Sequence, residues 1–96
     1  MISSNSVVVT ASDQISSDLS GEAVILNLKS GVYYGLNSVG AWIWNLIRKP
    51  KTVSEIRATI LAEYEVESEQ CNRDLLVLLQ QLKAEGLIEV SNETAA

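Results

Sequence analysis

The chain has 96 residues, of which 47% are apolar and 20% charged, and it carries a net charge of −5 with one cysteine and no histidine. This composition is typical of one soluble globular domain, so we treat residues 1–96 as a single domain whose ordered part is about residues 6–90. The acidic balance argues against nucleic acid as a partner, and the short apolar runs argue against a membrane. No signal-peptide pattern is present, which favours the cytoplasm. Cys71 has no second cysteine to pair with, and we expect no metal and no cofactor.

The first third of the chain is typical of β-structure. A run rich in β-branched residues at residues 6–11 and apolar runs at residues 22–28 and 31–36 each predict a strand. The polar residues 12–21 between the first two runs predict a linker. The turn residues 29–31 are short enough to join the last two strands into a hairpin.

Three amphipathic helices are predicted in the rest of the chain. Asn37 is a good N-cap for the first helix, which Pro50 ends. The sequence "TVSE" at residues 52–55 is a capping box that begins the second helix. Ser68 is the predicted N-cap of the third helix, and apolar residues recur at helical spacing from there until Gly86 stops it.

The order of these elements predicts the fold class. After the third helix, residues 87–90 predict a last short strand or an extended end, and residues 91–96 are expected to be frayed. A small antiparallel sheet must bury one face, and the helices supply the cover. We therefore predict an α+β fold of the winged helix-turn-helix type, in which a three-stranded antiparallel sheet is followed by three helices.

Signals for catalysis are weak, and we assign no catalytic residue. The sequence has no histidine, no glycine-rich phosphate loop and no nucleophile elbow. One alternative is a small enzyme that uses a carboxylate or Cys71, although this thiol lacks a base partner. A second alternative is a winged-helix transcription regulator, supported only by the basic cluster at residues 48–51 with Arg57.

The strand predicted at residues 31–36 is the best candidate for binding. A glycine inside it, Gly35, is a common sign of close approach by another backbone. At a sheet edge, the free N–H and C=O groups of such a strand pair with an extended peptide, and side-chain pockets supply specificity. Alternation of side chains puts Tyr33 on one face. The same alternation places three residues on the opposite face, Val32, Tyr34 and Leu36.

Four segments in order, "YYGLNSVGAWIW", "TVSEI", "EYEVESEQ" and "EGLIEV", resemble the family of PqqD-like peptide chaperones, also called RiPP recognition elements. The resemblance covers roughly residues 7–90, and it is greatest to the freestanding members that serve lasso-peptide clusters. It implies a domain without catalytic activity that binds the leader segment of a ribosomally synthesised precursor peptide. It also implies two further partners, a separate cysteine-type leader peptidase and a cyclase.

The resemblance implies that the leader adds as a strand to the third predicted strand and packs against the third helix. Carried onto this sequence, the leader-binding positions are Gly31, Val32, Tyr33, Tyr34, Gly35, Leu36, Asp74, Leu75, Val77, Leu78 and Gln81. Asn72 and Leu76 line the opposite flank of the helix and are the alternative wall. Trp44 is predicted to be a packing residue, whereas Trp42 has no assigned role. An exposed edge strand also pairs with itself, so both a monomer and a strand-paired homodimer remain open.

Overall fold

A computed structural model describes residues 2–92. In chain order, the elements are β1 (Ser6–Thr10), β2 (Gln14–Leu19), β3 (Glu22–Asn27), β4 (Tyr33–Leu36), α1 (Ser38–Leu46), β5 (Lys51–Thr52), α2 (Val53–Glu63), α3 (Ser68–Ala84) and β6 (Ile88–Asn92). The strands form two antiparallel sheets, with the orders β5–β1–β6 and β2–β3–β4. The α+β class and the three helices are confirmed, but the strands are divided between two sheets. Along the same residues, no helix is long and apolar enough to cross a membrane.

The prediction of a linker at residues 12–21 was wrong, because this segment contains β2. β2 pairs with β3 along its whole length, and the tight turn between them places Ser20 and Gly21 at positive φ values of 51° and 87°. Positive φ at both central residues suits the right-handed twist of a hairpin. The strand escaped prediction because its side chains on the covered face of the sheet are polar, so the usual apolar alternation is absent.

The predicted caps of the first two helices are confirmed. The Asn37 side chain accepts the Gly40 N–H at 2.9 Å at the start of α1. At α2, Thr52 Oγ1 accepts the Glu55 N–H at 3.1 Å, and Glu55 Oε1 accepts the Thr52 N–H at 2.8 Å. The cap predicted for α3 was wrong, because the N-cap is Glu67 and makes no side-chain bond, which makes Ser68 the first residue of the helix itself.

β6 pairs with β1 from Ser6 opposite Asn92 to Thr10 opposite Ile88. Residues 91 and 92, expected to fray, therefore belong to a strand, and the rest of the predicted frayed tail lies outside the described residues. At the other end of the chain, the side chain of Ile2 is buried in the core. Both ends of the described chain are thus held by packing or by strand pairing.

The sheet β2–β3–β4 has one covered face and one outer face, and this asymmetry positions the site. The covered face packs against α1 through Ala23, Ile25 and Leu36, which are buried in the core that α3 also enters. Trp44 is fully buried in the same core, which confirms its predicted packing role. The outer face, which we define by strand register as Ile15, Ser17, Leu19, Glu22, Val24, Leu26, Tyr33 and Gly35, consists of residues that are exposed or half-buried.

Candidate functional site

β4 is an edge strand, as the binding hypothesis requires. It pairs with β3 in a continuous antiparallel register from Leu26 opposite Tyr33 to Ala23 opposite Leu36. Within residues 2–92, no strand pairs with its other side. The turn that precedes it is the one predicted, because the Gly31 N–H donates to the Asn27 carbonyl at 2.8 Å, with Gly31 at a φ of 74°. The outward side of β4 is therefore open to another strand.

Two residues of β4 present their backbone to this open side. The Asn27 N–H donates to the Val32 carbonyl at 3.0 Å, which makes this pair a hydrogen-bonded one. In an antiparallel ladder, hydrogen-bonded and non-bonded pairs alternate. Every second residue from Val32 thus bonds to β3, while Tyr33 and Gly35 direct their N–H and C=O groups away from it. These four groups form a short template for an added strand.

A groove of about 750 Å³ runs between β4, the start of α1 and α3. Of the predicted binding residues, those that line it are Tyr34, Gly35, Leu36, Asp74, Leu75, Leu78 and Gln81. Its floor is apolar, because buried side chains such as Ile43, Ile60 and Leu75 form it. The structure therefore brings the edge of the sheet and one flank of α3 to a single cleft.

Other predicted residues lie outside this groove. Gly31 and Val32 belong to the hairpin turn, and Tyr33 lies on the outer face with 68% of its surface exposed. Val77 is on α3 but does not line the groove, and it is 48% exposed. Of these, only Tyr33 offers outward backbone groups for strand pairing.

The sequence analysis missed a third wall, formed by the start of α1, the connector before α3 and the first turn of α3. This wall consists of Asn37, Val39, Gly40, Glu65, Val66, Glu67 and Gln70. Val39, in the first turn of α1, is 41% exposed and faces the groove. A Cβ at Gly40 would lie 3.2 Å from Leu36 Cδ2, so glycine allows α1 to approach β4 this closely. The helical spacing of Val39 gave no indication of this position.

The flank of α3 that faces β4 is the one with Gln81. The Tyr34 hydroxyl donates to Gln81 Oε1 at 3.0 Å and links the strand to the helix at one end of the groove. The opposite flank faces α2, because Arg57 Nη1 donates to Asn72 Oδ1 at 3.4 Å and Leu76 packs on the core. The alternative wall of Asn72 and Leu76 is therefore not part of the groove.

The groove is electronegative. Its lining carries the carboxylates of Glu65, Glu67 and Asp74, and no lysine or arginine is among the lining residues. The ion pair found among the described residues, Lys29 with Asp13 at 3.3 Å, lies elsewhere. A peptide side chain near the carboxylates is therefore favoured when it is neutral or basic.

Cys71 lies at the floor of the groove but has no feature of a nucleophile. Its side chain is 6% exposed. Burial raises the pKa of the Cys71 thiol, an effect that Arg57 opposes and Asp74 reinforces. Thiolate is the reactive form, so this shift makes the residue less reactive. Within residues 2–92, no group of three or more potential ligands is placed to hold a metal ion.

Trp42, unassigned from the sequence, packs away from the groove. Its ring meets that of Tyr64 edge to face, with centroids 5.3 Å apart and an interplanar angle of 87°. Edge-to-face contacts of this kind are favourable for aromatic pairs. Trp42 therefore joins α1 to the end of α2.

Comparison with known proteins gives one family and two solved structures. Residues 22–88 match the family described as coenzyme PQQ synthesis protein D (PqqD). A structure of TbiB1 in complex with the TbiA(beta) leader peptide is 36% identical with a TM-score of 0.79, and the match covers 84% of this chain and 94% of that chain. A structure of lasso peptide synthetase B1 complexed with the leader peptide is 24% identical with a TM-score of 0.75, covers 85% and 96% of the two chains, and shows a shared fold. No curated protein matches the chain.

Proposed function

The chain belongs to the PqqD family, and from that premise we propose that it binds the leader segment of a ribosomally synthesised precursor peptide of the lasso class. The observation that carries the proposal is the open edge of β4 beside a groove with an apolar floor. It is supported by the 36% identity to TbiB1, whose structure contains a leader peptide. The whole chain acts as one leader-binding domain.

In this proposal, the leader adds to β4 as a fourth strand of the sheet β2–β3–β4. The outward N–H and C=O groups of Tyr33 and Gly35 supply main-chain hydrogen bonds, which give affinity without reading sequence. Alternate leader side chains then point into the groove, where Leu75 and Leu78 offer apolar contact. Asp74 disfavours an acidic leader residue at this wall.

We assign no chemistry to the domain itself. Its role is to hold the precursor while a separate cysteine-type leader peptidase cleaves the leader and a cyclase closes the ring. Holding the precursor on a binding protein that also contacts the processing enzyme raises its local concentration there. A monomer and a homodimer paired through β4 are both compatible with this role, and in the dimer the leader competes with the second copy for the same edge.

A binding titration tests the proposal. The probe is a fluorescein-labelled synthetic copy of the leader encoded by the short precursor reading frame beside this protein's gene, and a scrambled peptide of the same composition is the control. Fluorescence polarisation is expected to show saturable binding at micromolar protein for the leader and much weaker binding for the scrambled peptide, which has the main-chain bonds but not the matching side chains. Equal signals from both peptides, or no binding of the leader, would overturn the proposal.

A further inference from the structure

Gly35 occupies a position where nothing within residues 2–92 requires a glycine. Its φ is not in the left-handed region. Its strand carries no bulge, since β4 pairs with β3 residue for residue. A Cβ built at Gly35 meets no heavy atom within 4 Å. Glycine in a strand interior weakens the strand, so the reason for its presence lies outside the described residues.

The other glycines each have a reason that the structure shows. Positive φ accounts for Gly21, Gly31 and Gly86, and the close approach to Leu36 accounts for Gly40. Gly35 differs from these four glycines because no feature of the described residues accounts for it. A glycine that is free of strain and open above its Cα is a usual sign that another group approaches closely.

The missing side chain leaves an open place on the outer face of the sheet. Strand register aligns Ser17, Val24 and Gly35 in one row, beside the row of Ile15, Leu26 and Tyr33. Ile15 is 59% exposed, so the apolar surface of these two rows is accessible to a partner. No charged residue stands in either row.

We propose that Gly35 forms a second leader subsite, on the face of the sheet opposite the groove. The leader residue paired with Gly35 carries a large apolar or aromatic side chain, which lies over the glycine against Tyr33 and Val24. Cross-strand aromatic side chains cover glycines of edge strands in this way. The inference rests on the proposed strand addition and deepens it, because the leader is then read on both faces.

The geometry of strand addition places this subsite beside the groove contacts. Gly35 directs its N–H and C=O groups outward, so when the leader adds antiparallel to β4 the leader residue opposite Gly35 forms a hydrogen-bonded pair with it. The leader residues directly before and after that partner point to the other face, into the groove. The proposed leader segment is therefore extended, with one side chain on the outer face of the sheet and the side chains of its two neighbours in the groove.

The test compares Gly35→Val with a control in the same row. Ser17→Val adds bulk to the same face, at the far edge of the sheet. With the labelled leader as probe, we expect Gly35→Val to raise the Kd about tenfold, the effect of losing one buried apolar side-chain contact. The Kd of Ser17→Val is expected to stay within about twofold of the wild-type value. Gly35→Ala, which adds a single carbon, is expected to give a smaller rise in Kd.

Leader peptides with single alanine substitutions complete the test. Changing one outward-facing leader residue to alanine is expected to weaken the binding of the leader to the wild-type protein. The same alanine change is expected to weaken binding to Gly35→Val only slightly, because that variant has already lost the contact. Such coupling in a double-mutant cycle identifies the residue that covers Gly35. Urea unfolding of each protein variant checks that the fold is kept, and Gly35→Ala replaces Gly35→Val if the larger variant is unfolded.

The outcomes separate this inference from the proposed function. If the wild-type protein binds the leader and both Gly35 variants bind it equally well, the subsite is overturned and leader binding stands. The subsite is also overturned if the Gly35 variants bind the leader more weakly but show no coupling to any leader residue. In that case Gly35 only allows the leader backbone to approach β4. If the wild-type protein binds no leader, the proposed function and the subsite fall together.

Discussion

Replacing Tyr34 by phenylalanine and by alanine separates the two contacts that this residue makes. The ring is half-buried against the core, and the hydroxyl donates to Gln81 in an exposed position. The exposed hydrogen bond contributes about 0.5 kcal/mol, at the lower end of the usual range. Complete truncation of a buried aromatic ring costs roughly 3–5 kcal/mol, so we expect about 2 kcal/mol for this half-buried one.

These magnitudes give separate expectations for folding and for binding. Tyr34→Phe is expected to lower the free energy of unfolding by about 0.5 kcal/mol, and Tyr34→Ala by about 2–2.5 kcal/mol, in urea titrations followed by circular dichroism. Because the ring lines the groove, Tyr34→Ala is expected to raise the leader Kd at least about tenfold, equivalent to about 1.4 kcal/mol. Tyr34→Phe keeps the ring and is expected to bind with nearly the wild-type Kd.

The control is Val77→Ala, which truncates an exposed side chain of α3 that does not line the groove. It is expected to leave the leader Kd unchanged. An unchanged Kd in folded Tyr34→Ala would remove Tyr34 from the site. An equal loss in Tyr34→Phe and Tyr34→Ala would contradict the argument in another way, because it would assign the binding contact to the hydroxyl.

Three further predictions concern stability, its pH dependence and thiol reactivity. Thr52→Ala removes the α2 cap and is expected to lower the free energy of unfolding by about 1 kcal/mol in urea; an unchanged value would contradict the role of the capping box. The hydrogen bond from the Thr52 backbone lowers the pKa of Glu55 below its ordinary value of 4.5. The contribution of Glu55 to the free energy of unfolding is therefore complete above pH 4.5 and is lost as the pH falls through the lowered pKa. Glu55→Gln is therefore expected to lose less stability than the wild-type protein between neutral and acid pH, and parallel pH profiles would refute this. Cys71, whose pKa burial raises, is expected to react with a thiol reagent such as DTNB only when urea unfolds the chain; rapid reaction of the native protein would reopen the case for a nucleophile.

The sequence was sufficient to predict those features that depend on interactions between residues a few positions apart. The caps at Asn37 and Thr52 and the hairpin turn ending at Gly31 each depend on side chains or glycines within three or four positions. Their outcome does not depend on the rest of the fold. By contrast, the edge position of β4 depends on the order of the strands in the sheet, so it was a condition of the binding hypothesis and not a prediction.

The rest depends on tertiary packing. Polar residues on the covered face hid β2, and the division of the strands into two sheets follows from pairings of β1 with β5 and β6, which are distant in sequence. The third wall of the groove was missed because the connector at Glu65 and Glu67 has no apolar period. Its position follows from the direction in which α2 ends and α3 begins.

Backbone N-methylation of the leader tests strand addition most directly, because it changes the peptide and leaves the protein fold untouched. A set of leaders is made, each methylated at one successive backbone nitrogen, and each Kd is measured by competition with the labelled leader. Each lost ladder bond removes about 0.5–1.5 kcal/mol, or about 2- to 12-fold in Kd, and the added methyl group increases the loss by steric exclusion. The account predicts that binding is lost at every second residue of one short segment and kept at the residues between. A period of three to four residues, or no dependence on position, would contradict it.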